Sequence, residues 1–374
     1  APLPPSPYWL PPEPRHADPS LAYLESQCYG GKTITERDLN HIELELALAL
    51  GLRDYTRKCG VKTLCLAISG GRDSAMVAVI VHRMIRYQHP DLSDDEVRRL
   101  VHQRFVCAYL ATENSGSTTR DAAEGVAREV GARFFDGKIQ PALEALQGAV
   151  ETMTGEPLSW ANPAHDIPLQ NVQARLRGAV IWTLANLHNA LLLVTSNKSE
   201  AAVGYTTMDG DTSGGLAPIA DVPKSLVILY VAWAKGFHGY HSLAAIDALK
   251  ATAELRPPGQ NQSDEADLMP FVVLDQLMYA FVQLGLEPLE IHKRFWPNVQ
   301  ALYHDDPRRF AADIRKFTRM LCQAQWKRER FAISFRVTAF DLDPKTGFRF
   351  PPVQAPFHEE LQDLEDWVTA QVGP

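Results

Sequence analysis

The sequence predicts an α/β protein built on a doubly wound parallel sheet, followed by a C-terminal helical extension. Short apolar runs at 61–68, 104–111 and 190–196 alternate with stretches of helical periodicity at 43–57, 73–87, 121–130 and 171–187. Each run ends in a polar loop, and in a parallel sheet such loops gather at the edge where ligands bind. The first loop, Ser69-Gly70-Gly71-Arg72-Asp73-Ser74, joins a strand to a helix through two consecutive glycines.

Taken in order, the 374-residue chain opens with eight prolines among its first nineteen residues. Fixed φ angles and missing N–H donors make residues 1–35 an extended arm or a linker. ELELALALGLRDYTR at 43–57 sets strong helix formers at helical spacing. VKTLCLAI at 61–68 is a buried strand, and the helix at 73–87 takes Asp73 and Ser74 in its first turn. A strand at 104–111, a polar loop and a helix at 121–130 repeat the unit; a helix at 171–187 and a strand at 190–196 follow. Further helices are expected at 271–284, 288–296 and 307–323, with an irregular stretch at 335–352. The expected organisation is an arm at 1–35, a main domain at 36–330 and a tail at 331–374.

Composition narrows the function. With 45% hydrophobic residues and a net charge of −8, the chain reads as a soluble globular protein without a nucleic-acid or anionic-membrane surface. No apolar run reaches membrane-spanning length. Five scattered cysteines, odd in number and without CxxC spacing, argue against a disulfide framework or a zinc site and favour a reducing, cytoplasmic setting.

The glycine loop carries the chemistry. Without Cβ atoms at Gly70 and Gly71 the backbone can approach an anion, and the following helix start offers free N–H groups and a positive dipole end. Asp73 adds a carboxylate that could place Mg²⁺ on a pyrophosphate. Taken singly, such a string is also a glycine turn with a capping Asp. It is not a Walker A loop, which needs Gly-Lys-Ser/Thr at its end.

Ser69 to Ser74 resemble the SGGxDS loop of the ATP pyrophosphatases, which adenylate a carboxylate or carbonyl and release pyrophosphate. Other stretches resemble the NAD synthetases within that group: Asn171-Val172-Gln173-Ala174-Arg175-Leu176-Arg177-Gly178, then Thr195 through Tyr205 (TSNKSEAAVGY), Gly210-Asp211, Asp221-Val222-Pro223-Lys224, Glu254-Leu255-Arg256-Pro257 and Gln262-Ser263-Asp264-Glu265. The resemblance covers roughly residues 42–327. It implies the adenine nucleotide alpha hydrolase fold and the ATP-dependent amidation of deamido-NAD to NAD through an adenylated carboxylate, with ammonia as immediate nitrogen donor.

The resemblance also assigns residues. Asp73 and Glu200 would hold Mg²⁺; Ser69, Gly70, Gly71, Asp73, Ser74, Thr195, Lys224 and Thr252 would bind ATP; Asp73 and Lys224 would serve catalysis. Arg175, Asp211, Trp326 and Lys327 would contact deamido-NAD. Each has a plainer reading beside it: Glu200 as a helix N-terminal acid, Asp211 as a turn aspartate, Trp326 and Lys327 as part of a solvated basic helix. Arg175 and Arg177, two apart, cannot share one helix face. The resemblance favours Arg175 as the ligand contact.

Three departures matter. Arg72 fills the loop's variable position, pointing either to solvent or toward the phosphates. Met208 and Gly215 stand where ammonia-using members carry a lysine and an aspartate, which likens the chain to the synthetase domain of glutamine-using members. Those members carry a nitrilase-like glutaminase domain, for which there is no room before residue 42, so the chain is either a domain separated from its glutaminase domain or a free-standing enzyme that uses ammonia directly or a separate glutaminase partner. The family also implies a homodimer, with 171–187 as the candidate interface helix and the loops at 112–120 and 206–215 as candidate lids. Two rival readings stay open: a ligase that adenylates a different carboxylate, and a nucleotide-binding protein without turnover.

Overall fold

The computed structural model describes residues 29, 32–249, 255–257, 264–353 and 357–372. Helix α1 (Glu36–Lys58) starts seven residues before the expected 43, because Thr35 and Asp38 form a reciprocal cap. Strand β1 (Thr63–Ala67) then leads through the glycine loop into α2 (Arg72–Gln88). A helix not anticipated from sequence, α3 (Asp94–Arg104), is capped by the Ser93/Glu96 pair and buries only Val97 and Val101.

Strand β2 (Phe105–Ala111) is buried along almost its whole length, as a central parallel strand requires. Helix α4 (Ser117–Val130) starts four residues before the expected 121, with Gly116 at its N-cap. Strand β3 (Arg133–Lys138) and helix α5 (Gln140–Thr154) were also not anticipated. Helix α6 (Asp166–Leu187) and strand β4 (Ala190–Leu193) complete the layer.

The four strands are parallel in the order β3-β2-β1-β4, with Cys65 paired to Val106 on one side and to Leu192 on the other. The sheet is thus doubly wound as expected. The chain leaves β1 toward β2 and β3, then returns to add β4 on the other side, so the crevice opens beyond the ends of β1 and β4.

Helices α1 and α2 pack with α8 (Lys224–Phe237) around one buried carboxylate. Glu45, wholly buried, accepts from Arg83 Nε at 2.9 Å, Tyr230 Oη at 2.6 Å and Tyr87 Oη, with His238 Nε2 2.8 Å away. The His238 and Arg83 charges and the tyrosine hydrogen bonds outweigh burial and hold its carboxyl well below the usual range.

A second core is helical. It joins the short α7 (Lys198–Val203), α10 (Asp264–Asp267), α11 (Phe271–Met278), α12 (Pro288–Val299) and α13 (Pro307–Gln323), whereas α9 (Leu243–Ala248) packs into the sheet-side core. The helix expected over 271–284 changes at Tyr279 into a wider π turn, Tyr279–Gln283. After α14 (Gln325–Arg328) comes the stretch expected to be irregular, and residues 335–352 indeed form no helix or strand, but they are packed rather than loose and a helix not anticipated from sequence follows. Phe340 and Leu342 are buried in the helical core, and α15 (His358–Val372) adds Leu364 and Val368 to it. No helix among the described residues is long and apolar enough to cross a membrane.

Candidate active site

A cavity of about 270 Å³ opens at the crevice, walled by the glycine loop, the end of β4, Lys224 and the face of α6 that carries Ala174, Arg177 and Gly178. The loop is held by its own serines: Gly71 N–H donates to Ser69 Oγ at 3.2 Å, and Ser69 N–H to Ser74 Oγ at 3.2 Å. Gly70 has φ +82°, and a Cβ there would lie 2.3 Å from the Thr119 carbonyl oxygen. Only glycine fits both constraints.

Arg72 is half-buried rather than free in solvent, and it stands in the cavity wall. Its Nη2 donates to the Asp247 carbonyl at 2.8 Å, fastening the loop to α9, which contributes Ile246 to the cavity wall.

Asp73 is the junction. Its Oδ1 accepts from Asn197 Nδ2 at 2.9 Å and its Oδ2 from Lys224 Nζ. The same ammonium lies 3.2 Å from Glu200 Oε1. Three segments remote in sequence therefore converge on one ammonium. Glu200 is also the helix cap acid of the plainer reading: its N–H donates to Asn197 Oδ1 at 3.0 Å, and its other oxygen faces the Asn197 N–H. One carboxylate oxygen closes the α7 cap while the other faces Lys224.

Burial, with the Asp73 and Asp264 carboxylates against the pull of Lys224, pushes the Glu200 carboxyl up to about 8. Burial works against the Lys224 ammonium, but Asp73 and Glu200 outweigh it and hold it above the ordinary lysine range. Asp264, which was not singled out from sequence beyond its place in a motif, lines the same cavity. Burial pushes its carboxyl up to about 6, and among the described residues its buried Oδ1 has no hydrogen-bond partner. Thr195 follows β4 in the cavity wall, whereas Thr252 lies outside the described residues.

The two arginines of α6 part as their spacing demands. Arg177 lines the cavity, donating to the Leu110 carbonyl at 3.2 Å, while Arg175 is exposed and donates to the Met208 carbonyl at 3.1 Å. Arg175, favoured as the deamido-NAD contact, thus stands on the loop-facing side of the helix and Arg177 on the cavity side. Asp211 also lines the cavity, and Arg175 and Lys327 reach its loop from two helices: Asp211 Oδ1 accepts the Thr207 N–H at 2.6 Å, and Lys327 Nζ donates to the Gly204 and Thr206 carbonyls at 2.6 Å each. Trp326 beside them is exposed.

Both candidate lid loops are fastened. Thr112 and Asn114 donate to Gln173 Oε1, and Ser213 Oγ accepts from Trp182 Nε1 at 2.6 Å. Gly210 lies so close to α6 that a Cβ would sit 2.9 Å from that of Ala174.

Comparison with known proteins places this geometry. The chain is 30% identical over 345 residues to a glutamine-dependent NAD(+) synthetase of Thermotoga maritima, covering 87% of this chain and 54% of that one. It is 33% identical over 307 residues to one of Rhodobacter capsulatus, covering 79% and 49%. The chain thus spans about half the length of these curated relatives. Among solved structures, a glutamine-dependent NAD(+) synthetase from Cytophaga hutchinsonii superposes with a TM-score of 0.74 at 32% identity, over 87% of this chain and 56% of that one. An NMN synthetase from Francisella tularensis shares the fold at a TM-score of 0.51 and 20% identity, over 64% and 85%. Residues 45–303 match the family model described as NAD synthase, and the chain belongs to that family.

Proposed function

We propose that this chain carries out the ATP-dependent amidation of deamido-NAD to NAD. The nicotinate carboxylate attacks the α-phosphate of ATP, releasing pyrophosphate, and ammonia then displaces AMP from the adenylate. The observation that carries this reading is the convergence of Asp73, Glu200 and Lys224 beside the glycine loop. Loop amides and the α2 N-terminus would bind phosphate oxygens. Lys224 supplies a point charge to the same groups. Positioning and charge neutralisation do most of the work, and the cavity keeps water from the adenylate.

Mg²⁺ fits these residues. Asp73, Glu200 and Asp264 face one ammonium, and the buried Asp264 Oδ1 lacks a partner. Among the described residues no three acidic, histidine or cysteine side chains form a closed cage. Mg²⁺ is commonly held by one or two carboxylates plus substrate phosphates. Asp73 and Glu200 would hold the ion, which when bound would neutralise charge on the departing pyrophosphate.

A homodimer belongs to the same reading. Leu146, Val150 and Met153 form an exposed apolar stripe on α5, with Ile167 and Leu187 exposed on neighbouring α6. Arg175, Asp211, Trp326 and Lys327 would contact deamido-NAD from around the 204–212 loop. The ammonia would come from a nitrilase-like glutaminase domain or partner, in keeping with the names and greater length of the relatives.

The test is pyrophosphate release with Mg-ATP and deamido-NAD, with ammonium or glutamine, beside Asp73→Ala. Release and NAD formation with ammonium, lost in the variant, support the proposal. Absence of release from folded protein, or release only with another acid, overturns it.

A further inference from the structure

The tail beyond Phe335 has no part in the site as described so far, yet it reaches the segments that carry Glu200 and Lys224. Lys198 lies two residues before Glu200 and is fully buried. Its ammonium pairs with Asp221 Oδ1 at 2.8 Å, and donates to Thr338 Oγ1 at 2.6 Å and to the Phe340 carbonyl. The Phe340 ring centroid stands 3.6 Å from the same nitrogen. Asp221, three residues before Lys224, uses its other oxygen to accept the Val337 and Thr338 N–H groups, each at 2.8 Å.

The backbone follows the same pattern. Lys198 N–H donates to the Val222 carbonyl at 2.9 Å, and Lys224 N–H to Ser199 Oγ at 2.8 Å. A buried lysine–aspartate pair stabilises a fold little, because desolvation of both groups offsets their attraction. What this pair fixes is the register of two segments, one on each side of the Glu200–Lys224 contact.

We propose that residues 337–340 are a positioning latch for the phosphate site. Thr338 and Phe340 close over the Lys198–Asp221 pair, and the pair sets Glu200 against Lys224. None of the four lines the cavity; they act through Glu200 and Lys224, which do. The inference rests on the proposed function for the reaction, and on geometry alone for where Mg-ATP binds.

The test uses Thr338→Val and Phe340→Leu in the full chain, with Thr338→Ser as the conservative rescue. Thermal unfolding, calorimetric Mg-ATP binding across a Mg²⁺ series, and kcat and KM for pyrophosphate release are measured on each. The latch predicts that the half-saturating Mg²⁺ concentration rises about tenfold and kcat falls about 10- to 100-fold, with KM for the acid unchanged. Thr338→Ser returns both toward wild type. Variants that melt earlier but keep wild-type Mg²⁺ dependence and kcat per folded molecule overturn the latch. If Thr338→Val fails to fold, Phe340→Leu, which keeps the hydroxyl and backbone contacts, decides by the same readouts. A wild-type chain that binds Mg-ATP but releases no pyrophosphate with deamido-NAD sinks the proposed function, while the calorimetric comparison still decides the latch.

Discussion

Asn197 donates to Asp73 across 124 residues of sequence and caps α7 with its amide oxygen, so one side chain joins the glycine loop to the helix start that carries Glu200. Replacing it by alanine removes a cap and a tie together. Asn197→Ala is expected to cost about 1 kcal/mol of stability. It should also slow pyrophosphate release about 10- to 100-fold. Urea unfolding and initial rates check the two effects separately, and a normal rate in a destabilised variant would limit Asn197 to capping.

Gly70→Ala should abolish Mg-ATP binding. The substitution meets a left-handed backbone that costs an alanine about 1–2 kcal/mol. It also places a methyl carbon against the Thr119 carbonyl, which belongs to rigid α4 backbone. Calorimetry is the direct measurement; binding within a few-fold of wild type would show that the loop relaxes without cost.

Glu45→Ala should be among the most destabilising single changes in the sheet layer. It strands the Arg83 guanidinium in the interior and removes the shared acceptor of Tyr87 and Tyr230. Breaking such a buried pair costs about 3–5 kcal/mol. A urea midpoint close to wild type would show that Arg83 finds another acceptor.

His82 gives the acid limb of stability a sign. Burial, then the Arg83, Arg86, Arg98 and His238 charges, push its imidazole down to about 3, with Tyr240 Oη as the hydrogen-bonding neighbour. Between that value and the ordinary 6.5 the unfolded chain binds a proton that the folded chain refuses. The stability associated with neutral His82 is therefore present above about pH 6.5 and is lost as pH falls toward 3, by about 1.4 kcal/mol per unit at most. Urea midpoints from pH 7 to 4 should fall less steeply for His82→Gln than for wild type. Parallel slopes would remove His82 from the cause.

The parallel core was legible because β1 and β2 are short apolar runs followed by polar loops. Strand β3 was not, since RFFDGK sits at the sheet edge, largely unburied, and carries charges. Helix α3 was hidden by a polar sequence that turns only two residues inward. Helix α15 followed an aperiodic stretch whose buried aromatics find their partners only in three dimensions. In the site, Asp73, Glu200 and Lys224 were named from motifs, and their convergence follows from the strand order. Choosing Arg177 over Arg175 as the cavity residue required the phase of α6 relative to the sheet. Asn197 and Asp264 stood inside recognised stretches, but what marks them is a contact in one case and an unpartnered buried oxygen in the other.

The sequence distances across the site also set an order of events during synthesis. The glycine loop leaves the ribosome 151 residues ahead of Lys224, and Lys198 emerges 140 residues ahead of the Thr338 that closes over it. A nascent chain can fold its first three strands while its phosphate site is still missing the ammonium and the second carboxylate. Translation arrested before residue 338 would leave a sheet with a glycine loop but no closed latch, so on the latch proposal nucleotide capture waits for a segment made well after the whole sheet.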